Sequence, residues 1–169
     1  MVPTLQIGDC FLADTRTPGA TPGATPVRGD IVLFALPSDP ATTYVKRVIG
    51  LAGDQVAVRN GILFINGAAL PRQRIAESST TLAAGRYYAE TLPGGRTYTI
   101  LHQADNGTAN NTQDYAVPAA SLFVMGDNRA NSTDSRFAQV GFIPLKNPQG
   151  TPGSLFWARD RARLFTRIE

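Results

Sequence analysis

Short runs of apolar residues, many alternating with polar ones, are set off along the chain by Gly, Pro, Asn or Asp: LQIGDCFLA, DIVLFAL, YVKRVIGL, QVAVRNGILFING, RTYTIL and SLFVMGD. A period of two in β-branched and aromatic stretches of this length predicts strands. In VAVRNGILFING, Asn60-Gly61 supplies the positive φ angles of a two-residue hairpin turn, so this segment is expected to be a β-hairpin. Gly29-Asp30 and Gly53-Asp54 read as tight corners between strands. The stretch TRTPGATPGATPVRGD has no apolar period and reads as a surface loop, since core-like sequence resumes directly after it.

The character of the chain changes between about Ala68 and Ala120, where small and polar residues surround one clear strand, RTYTIL. The expected organisation is a core from 1–54 and 122–169, with 55–121 as an inserted β-rich lobe.

Composition supports the all-β expectation. With 169 residues the chain suffices for one substantial core, and 16 Gly and 12 Pro imply many turns. The net charge of +3 is small and its basic residues are scattered, which argues against a nucleic-acid partner. The densest basic stretch, WARDRARLFTRIE, reads as a solvated face. Cys10 is the sole cysteine, which excludes an internal disulfide, and a small buried apolar role is expected for it. The one histidine, His102, falls in a polar, hairpin-like stretch with no evident link to Cys10. No apolar run of membrane-spanning length occurs, and the start lacks the basic and apolar regions of a secretory leader.

Candidate chemistry begins with lysine usage. Among 16 basic residues only Lys46 and Lys146 are lysines, and Lys46 stands directly beside Arg47. An amine can lose its proton on desolvation, whereas a guanidinium stays charged. In a strand, TTYVKRVIG puts Tyr44, Lys46 and Val48 on one face and Val45, Arg47 and Ile49 on the other. Apolar neighbours would lower the Lys46 pKa towards that of a useful general base, although an edge-strand lysine reaching to solvent fits the same stretch. Lys146, in PLKNPQG, reads as a surface residue in a turn.

A second constellation, MGDNRANSTDSRFAQVGFIP, follows the apolar SLFV. Gly126 and Asp127 turn the chain, and Asn128, Asn131, Ser132 and Asp134 offer groups that bond loop backbone. Asp134 and Arg136, two residues apart, are placed to pair with each other or with Asp127 and Arg129. Ser132 is a hydroxyl able to aim a neutral lysine amine. A purely structural polar loop remains the alternative.

These blocks resemble the bacterial type I signal peptidases, serine/lysine endopeptidases that remove signal peptides from exported proteins. PTLQIGD, RGDIVLFALPSDPATTYVKRVIGLAGD, ETLPGG and GDNRANSTDSRFAQVGFIP carry the likeness. The resemblance implies a coiled, barrel-like sheet, related to that of repressor proteases, that needs no cofactor. It implies Lys46 as general base and Ser132 as the hydroxyl that orients it. Asp134 and Arg136 would form the supporting ion pair, with Gly126, Asp127 and Asn131 shaping the site. Met1, Leu5, Leu33, Tyr44 and Val45 fall where the family lines apolar pockets for small residues preceding the cut. Implied partners are signal peptides and a membrane surface, at the extracytoplasmic (periplasmic) face of the bacterial inner membrane.

One departure stands out. The family serine sits in Ser-Met-x-Pro-Thr-Leu, and Met1-Val2-Pro3-Thr4-Leu5 supplies everything but the serine, which is expected just before Met1. The serine's own N–H, an oxyanion-hole donor, is missing with it, and Thr4 lies too late to replace it. The 169-residue chain is therefore expected to be inert by itself. Two rival readings stay open: a non-catalytic signal-peptide-binding module, and a self-cleaving repressor-type Ser/Lys protease. Phe156 and Trp157 read as part of a core strand, with lipid contact as the alternative.

Overall fold

A computed structural model describes residues 1–15, 25–36, 38–76, 83–103 and 108–169. Among them are thirteen strands: β1 (Cys10–Asp14), β2 (Ile31–Leu36), β3 (Asp39–Gly50), β4 (Gln55–Arg59), β5 (Ile62–Ile65), β6 (Ala68–Ala69), β7 (Arg72–Ile75), β8 (Arg86–Thr91), β9 (Thr97–His102), β10 (Tyr115–Ala116), β11 (Ser121–Met125), β12 (Ile143–Pro144) and β13 (Pro148–Trp157). Two single-turn 3-10 segments, Thr108–Asn110 and Arg161–Arg163, are the only helical elements among the described residues. The all-β expectation holds. Most of the loop read at 15–30 lies outside the described residues.

The strands form three sheets. Six strands in the order β1-β13-β2-β3-β11-β12 make the largest, and every pair in it is antiparallel. The others are β10-β4-β5-β6 and β7-β8-β9. Strands of the large sheet come from residues 10–50 and 121–157, and those of the smaller sheets from 55–116.

The core does not follow that division. One cluster joins Ile49, Phe123 and Met125 of the large sheet to Val56, Val58, Leu63, Ile65 and Ile100 of the smaller ones. A second holds Val32, Phe34, Val48, Leu122, Val124 and Ile143, and a third Leu5, Ile31, Leu155 and Ile168. Alternation along β3 explains this arrangement: Val48 faces the second cluster, while Val45 and Ile49 serve the third and first.

The hairpin β4–β5 forms with Val56 opposite Ile65 and Val58 opposite Leu63, turning at Asn60 (φ 50°) and Gly61 (φ 72°). Both Gly-Asp corners form alike. Asp30 Oδ2 accepts from Val27 N at 2.9 Å and Asp54 Oδ2 from Leu51 N at 2.7 Å, each after a glycine with positive φ nearby in the turn.

Several sequence expectations need correction. Leu5–Gly8 is a series of turns, because side-chain bonds to Asp9 and Asp127 shape it, and only Cys10–Asp14 of LQIGDCFLA is a strand. Cys10 is exposed on this edge strand rather than buried. His102 is buried at the end of β9, with its ring against Gly61. The polar segment after Ala68 contains β7 and β8 as well as β9. Phe156 and Trp157 do lie on a strand, but 50% and 58% exposed, so they are not core residues.

Candidate active site

Strand β3 carries Lys46 between two partners, opposite Val32 of β2 and one residue before the Arg47–Met125 pair with β11. The side chain is half-buried, and Nζ lies 5.8 Å from the centre of the Tyr44 ring. Burial lowers the Lys46 pKa from the ordinary lysine value. Asp134 and Asp127 pull it back up and Arg136 pushes it down, but desolvation prevails. Each of these two acids is taken by an arginine, Asp134 by Arg136 and Asp127 by Arg47.

The polar loop leaves β11 and folds back along it: Ser135 N donates to Val124 O at 3.1 Å, and Val124 N to Ser135 Oγ at 2.9 Å. This return brings Asp134 under Gly126, whose N–H donates to Oδ2 at 3.0 Å. Arg136 closes on the same carboxylate through Nε and Nη2, both at 2.8 Å. Burial alone would raise Asp134, but Arg136, with help from Gly126 N–H and Ser132, holds it below the usual carboxylate range. The Ser132 hydroxyl is buried and faces Asp134 without completing a hydrogen bond. Gly126 is required here for space: a Cβ on it would collide with Ser132 Oγ and Cβ. Asn131 is exposed, and its N–H donates to Asn128.

Asp127 pairs with Arg47 and not with Arg129. The Arg47 guanidinium is fully buried, giving Nε to Oδ1 at 2.9 Å and Nη2 to Oδ2 at 2.8 Å. Its remaining donors reach Gly29 O at 2.8 Å and Glu169 O at 3.0 Å, and it lies 4.3 Å from the Tyr98 ring centre. Arg129 instead turns to Glu90 of β8, forming a buried ion pair to which the Tyr98 hydroxyl also bonds. Thr4 Oγ1 donates to Asp127 Oδ2 and so links the chain's first turn to this network.

That first turn packs Met1 against the third cluster beside Val45, the residue before Lys46 on β3. Burial and the Lys46 charge lower the Met1 amino-group pKa, partly offset by Asp127. Met1, Leu5 and Val45 come together around the third cluster, and Leu33 sits opposite Val45 across β2–β3. Tyr44 is separate from them, on the Lys46 face, stacked on Phe34 at 5.7 Å. Among the described residues no group of three or more His, Cys, Asp or Glu is placed to hold a metal ion.

A family model described as "Signal peptidase, peptidase S26" matches residues 1–157. The chain belongs to this family. Similar curated relatives are the signal peptidase I of Rickettsia bellii (strain OSU 85-389), 38% identical over 73% of this chain and 45% of the relative. Those of Pseudomonas aeruginosa and Pseudomonas fluorescens are 34% and 36% identical over 89% and 97% of this chain, and 59% and 64% of theirs. The chain thus spans about half to two thirds of the relatives it matches. A solved signal peptidase I from Enterococcus faecalis V583 is 28% identical, covering 75% of this chain and 95% of that one, with a TM-score of 0.43.

In this signal peptidase family member, sequence reading missed three parts of the site: Arg47 as partner of Asp127, Thr4 as its second donor, and Glu90 as the anchor of Arg129. The signal for Arg47 was present in the Lys-Arg pair only in part: alternation put Arg47 on the face opposite Lys46, and the structure buries that face too. ETLPGG carried Glu90 without any sign of its partner.

Proposed function

We propose that this chain is the catalytic region of a signal peptidase I, an endopeptidase that removes signal peptides from exported preproteins by a serine/lysine mechanism. The observation that carries the reading is Lys46: a half-buried amine whose two neighbouring acids are each neutralised by an arginine. That environment favours the neutral, proton-accepting form.

Lys46 acts as general base and Ser132 orients it. The nucleophile is a serine immediately before Met1, a placement supported by Met1-Val2-Pro3-Thr4-Leu5, which follows the family's motif after its serine, and by Thr4's bond to Asp127. Its hydroxyl proton passes to Lys46 as its oxygen attacks the scissile carbonyl, and the lysine then protonates the leaving amine. Lys46 next takes a proton from water, whose oxygen attacks the acyl ester and frees the serine. Asp134–Arg136 and Asp127–Arg47 stiffen the loop and strand that hold the two groups.

Met1, Leu5, Leu33 and Val45 supply an apolar surface for the small residues before the cut, with Tyr44 on the lysine side. Residues 55–121 form an insertion whose β8 and β9 brace the loop from behind through Glu90 and Leu101.

The working place is the extracytoplasmic face of a bacterial inner membrane. No helix among the described residues is long and apolar enough to cross a membrane. An exposed apolar surface near the β1–β13 edge does fit resting on lipid: Leu12, Trp157 and Phe165 are 67%, 58% and 79% exposed. The activity is tested by incubating a preprotein with the chain extended upstream to include the serine. Mass spectrometry should place the cut after a small residue, and an intact preprotein would count against the reading.

A further inference from the structure

The family match ends at residue 157, yet the residues after it reach into the site. The tail folds back on β13: Leu155 N donates to Thr166 O at 3.0 Å, Phe165 N to Leu155 O at 2.7 Å and Ile168 N to Gly153 O at 3.1 Å. So anchored, it presents Arg163 to the first turn of the chain. Arg163 Nη1 meets Asp9 Oδ2 at 2.7 Å, and Nη2 donates to Thr4 O at 2.8 Å. Ile168 packs in the cluster that contains Leu5, and Glu169 O accepts from Arg47.

The first turn has little backbone structure to hold it. Residues 1–9 contain no strand, and their own backbone bonds are Leu5 N to Met1 O and Asp9 N to Gln6 O, both 3.1 Å. Its position against Asp127 and against Val45, the neighbour of Lys46 on β3, therefore depends on Thr4's bond to Asp127, on Met1 and Leu5 in the third cluster, and on Arg163. Among the described residues, only Arg163 bonds the turn at two points. The Asp9 carboxylate it holds also accepts from Gln6 N at 2.8 Å, so the turn's shape and its attachment share one group.

We propose that Arg163 is a positioning residue of the Lys46 site: bound to both Asp9 and Thr4, it sets the place of the first turn, and hence of the residue attached to Met1, against Lys46. This rests on the proposed reading of Lys46 as general base. A planar guanidinium can satisfy two acceptors at once, whereas an ammonium centred on one leaves the other loose. Arg163→Lys should therefore restore part of what Arg163→Ala loses.

The test needs no catalysis. Lys46 and Lys146 are the only lysines, so a chain labelled with 13C-lysine gives two side-chain titrations to follow by NMR. With Arg163→Ala the first turn loosens, Lys46 gains solvent and its midpoint moves up towards the ordinary lysine value, with Arg163→Lys in between. Asp9→Asn, which removes the charge but not the shape, gives the same direction if Arg163→Ala does not fold. An unchanged Lys46 midpoint in folded Arg163→Ala or Asp9→Asn would overturn the proposal. In the serine-bearing enzyme kcat should drop about 100-fold with little change in KM. If that enzyme does not cut even unmutated, the proposed activity fails while the titration still decides the role of Arg163.

Discussion

Arg47 and Asp127, 80 residues apart, meet in a two-pronged ion pair with side chains 0% and 1% exposed. The pair ties β3 to the loop after β11, one residue from Lys46 on one side and one residue from Gly126 on the other. A buried charge left without its partner is costly, so Arg47→Met is expected to destabilise the fold by about 3–5 kcal/mol. Arg47→Lys should cost less because one charge contact survives. Urea unfolding of the two variants checks the order.

Gly126 and Ser132 form a second linked pair, one empty of side chain so that the other has room. Gly126→Ala should cost about 1–3 kcal/mol through forced repacking. Adding Ser132→Gly removes the colliding atoms and should recover most of that stability, a coupling that a double-mutant cycle measures. Cleavage should not recover with it, since the hydroxyl proposed to orient Lys46 is gone.

Lys46 makes stability depend on pH in a defined direction. Its proton is held less tightly in the folded chain than in the unfolded one, so protonation penalises the fold below the lowered folded value. The penalty is relieved as pH rises from that value to the ordinary lysine value. Lys46→Met should therefore be more stable than the parent at neutral pH, with the gap closing in alkali. Thermal unfolding across pH reads this. Asp134→Asn should move the Lys46 midpoint further down, because it removes a raising charge and leaves Arg136 uncompensated.

The exposed apolar surface gives a fourth expectation. Trp157 is the only tryptophan, so its fluorescence reports on this surface alone. It should shift to the blue with vesicles containing anionic lipid, and Trp157 replaced by Phe together with Leu12→Asp and Phe165→Asp should weaken vesicle binding in a flotation assay. No shift would remove lipid contact from the account.

Much of this was legible in the chain, for physical reasons that also explain the rest. The β4–β5 hairpin was readable because its alternation and Asn60-Gly61 agree, and β3 because a period of two separates Lys46 from Arg47. The end of strand β13 at Phe156 and Trp157 was read as strand, but its first half was hidden by its own Gly and Pro. Gly150 and Gly153 look like turn residues, but they sit where a Cβ would strike the β1 carbonyls of Asp14 and Leu12, so they let the edge strand approach. Strands β7 and β8 were hidden by polarity, since β7 buries little of its surface. Asp134–Arg136 could be anticipated because they stand only two positions apart. Arg47–Asp127 and Arg129–Glu90 could not, since long-range pairing leaves no local periodicity.

The central claim is that Lys46 is the base. Its most direct measurement is the rate of preprotein cleavage by the chain carrying serine before Met1, with and without Lys46→Met. The account predicts a folded variant whose rate falls by about 100-fold or more. A folded Lys46→Met enzyme that cuts at the parent rate would contradict it.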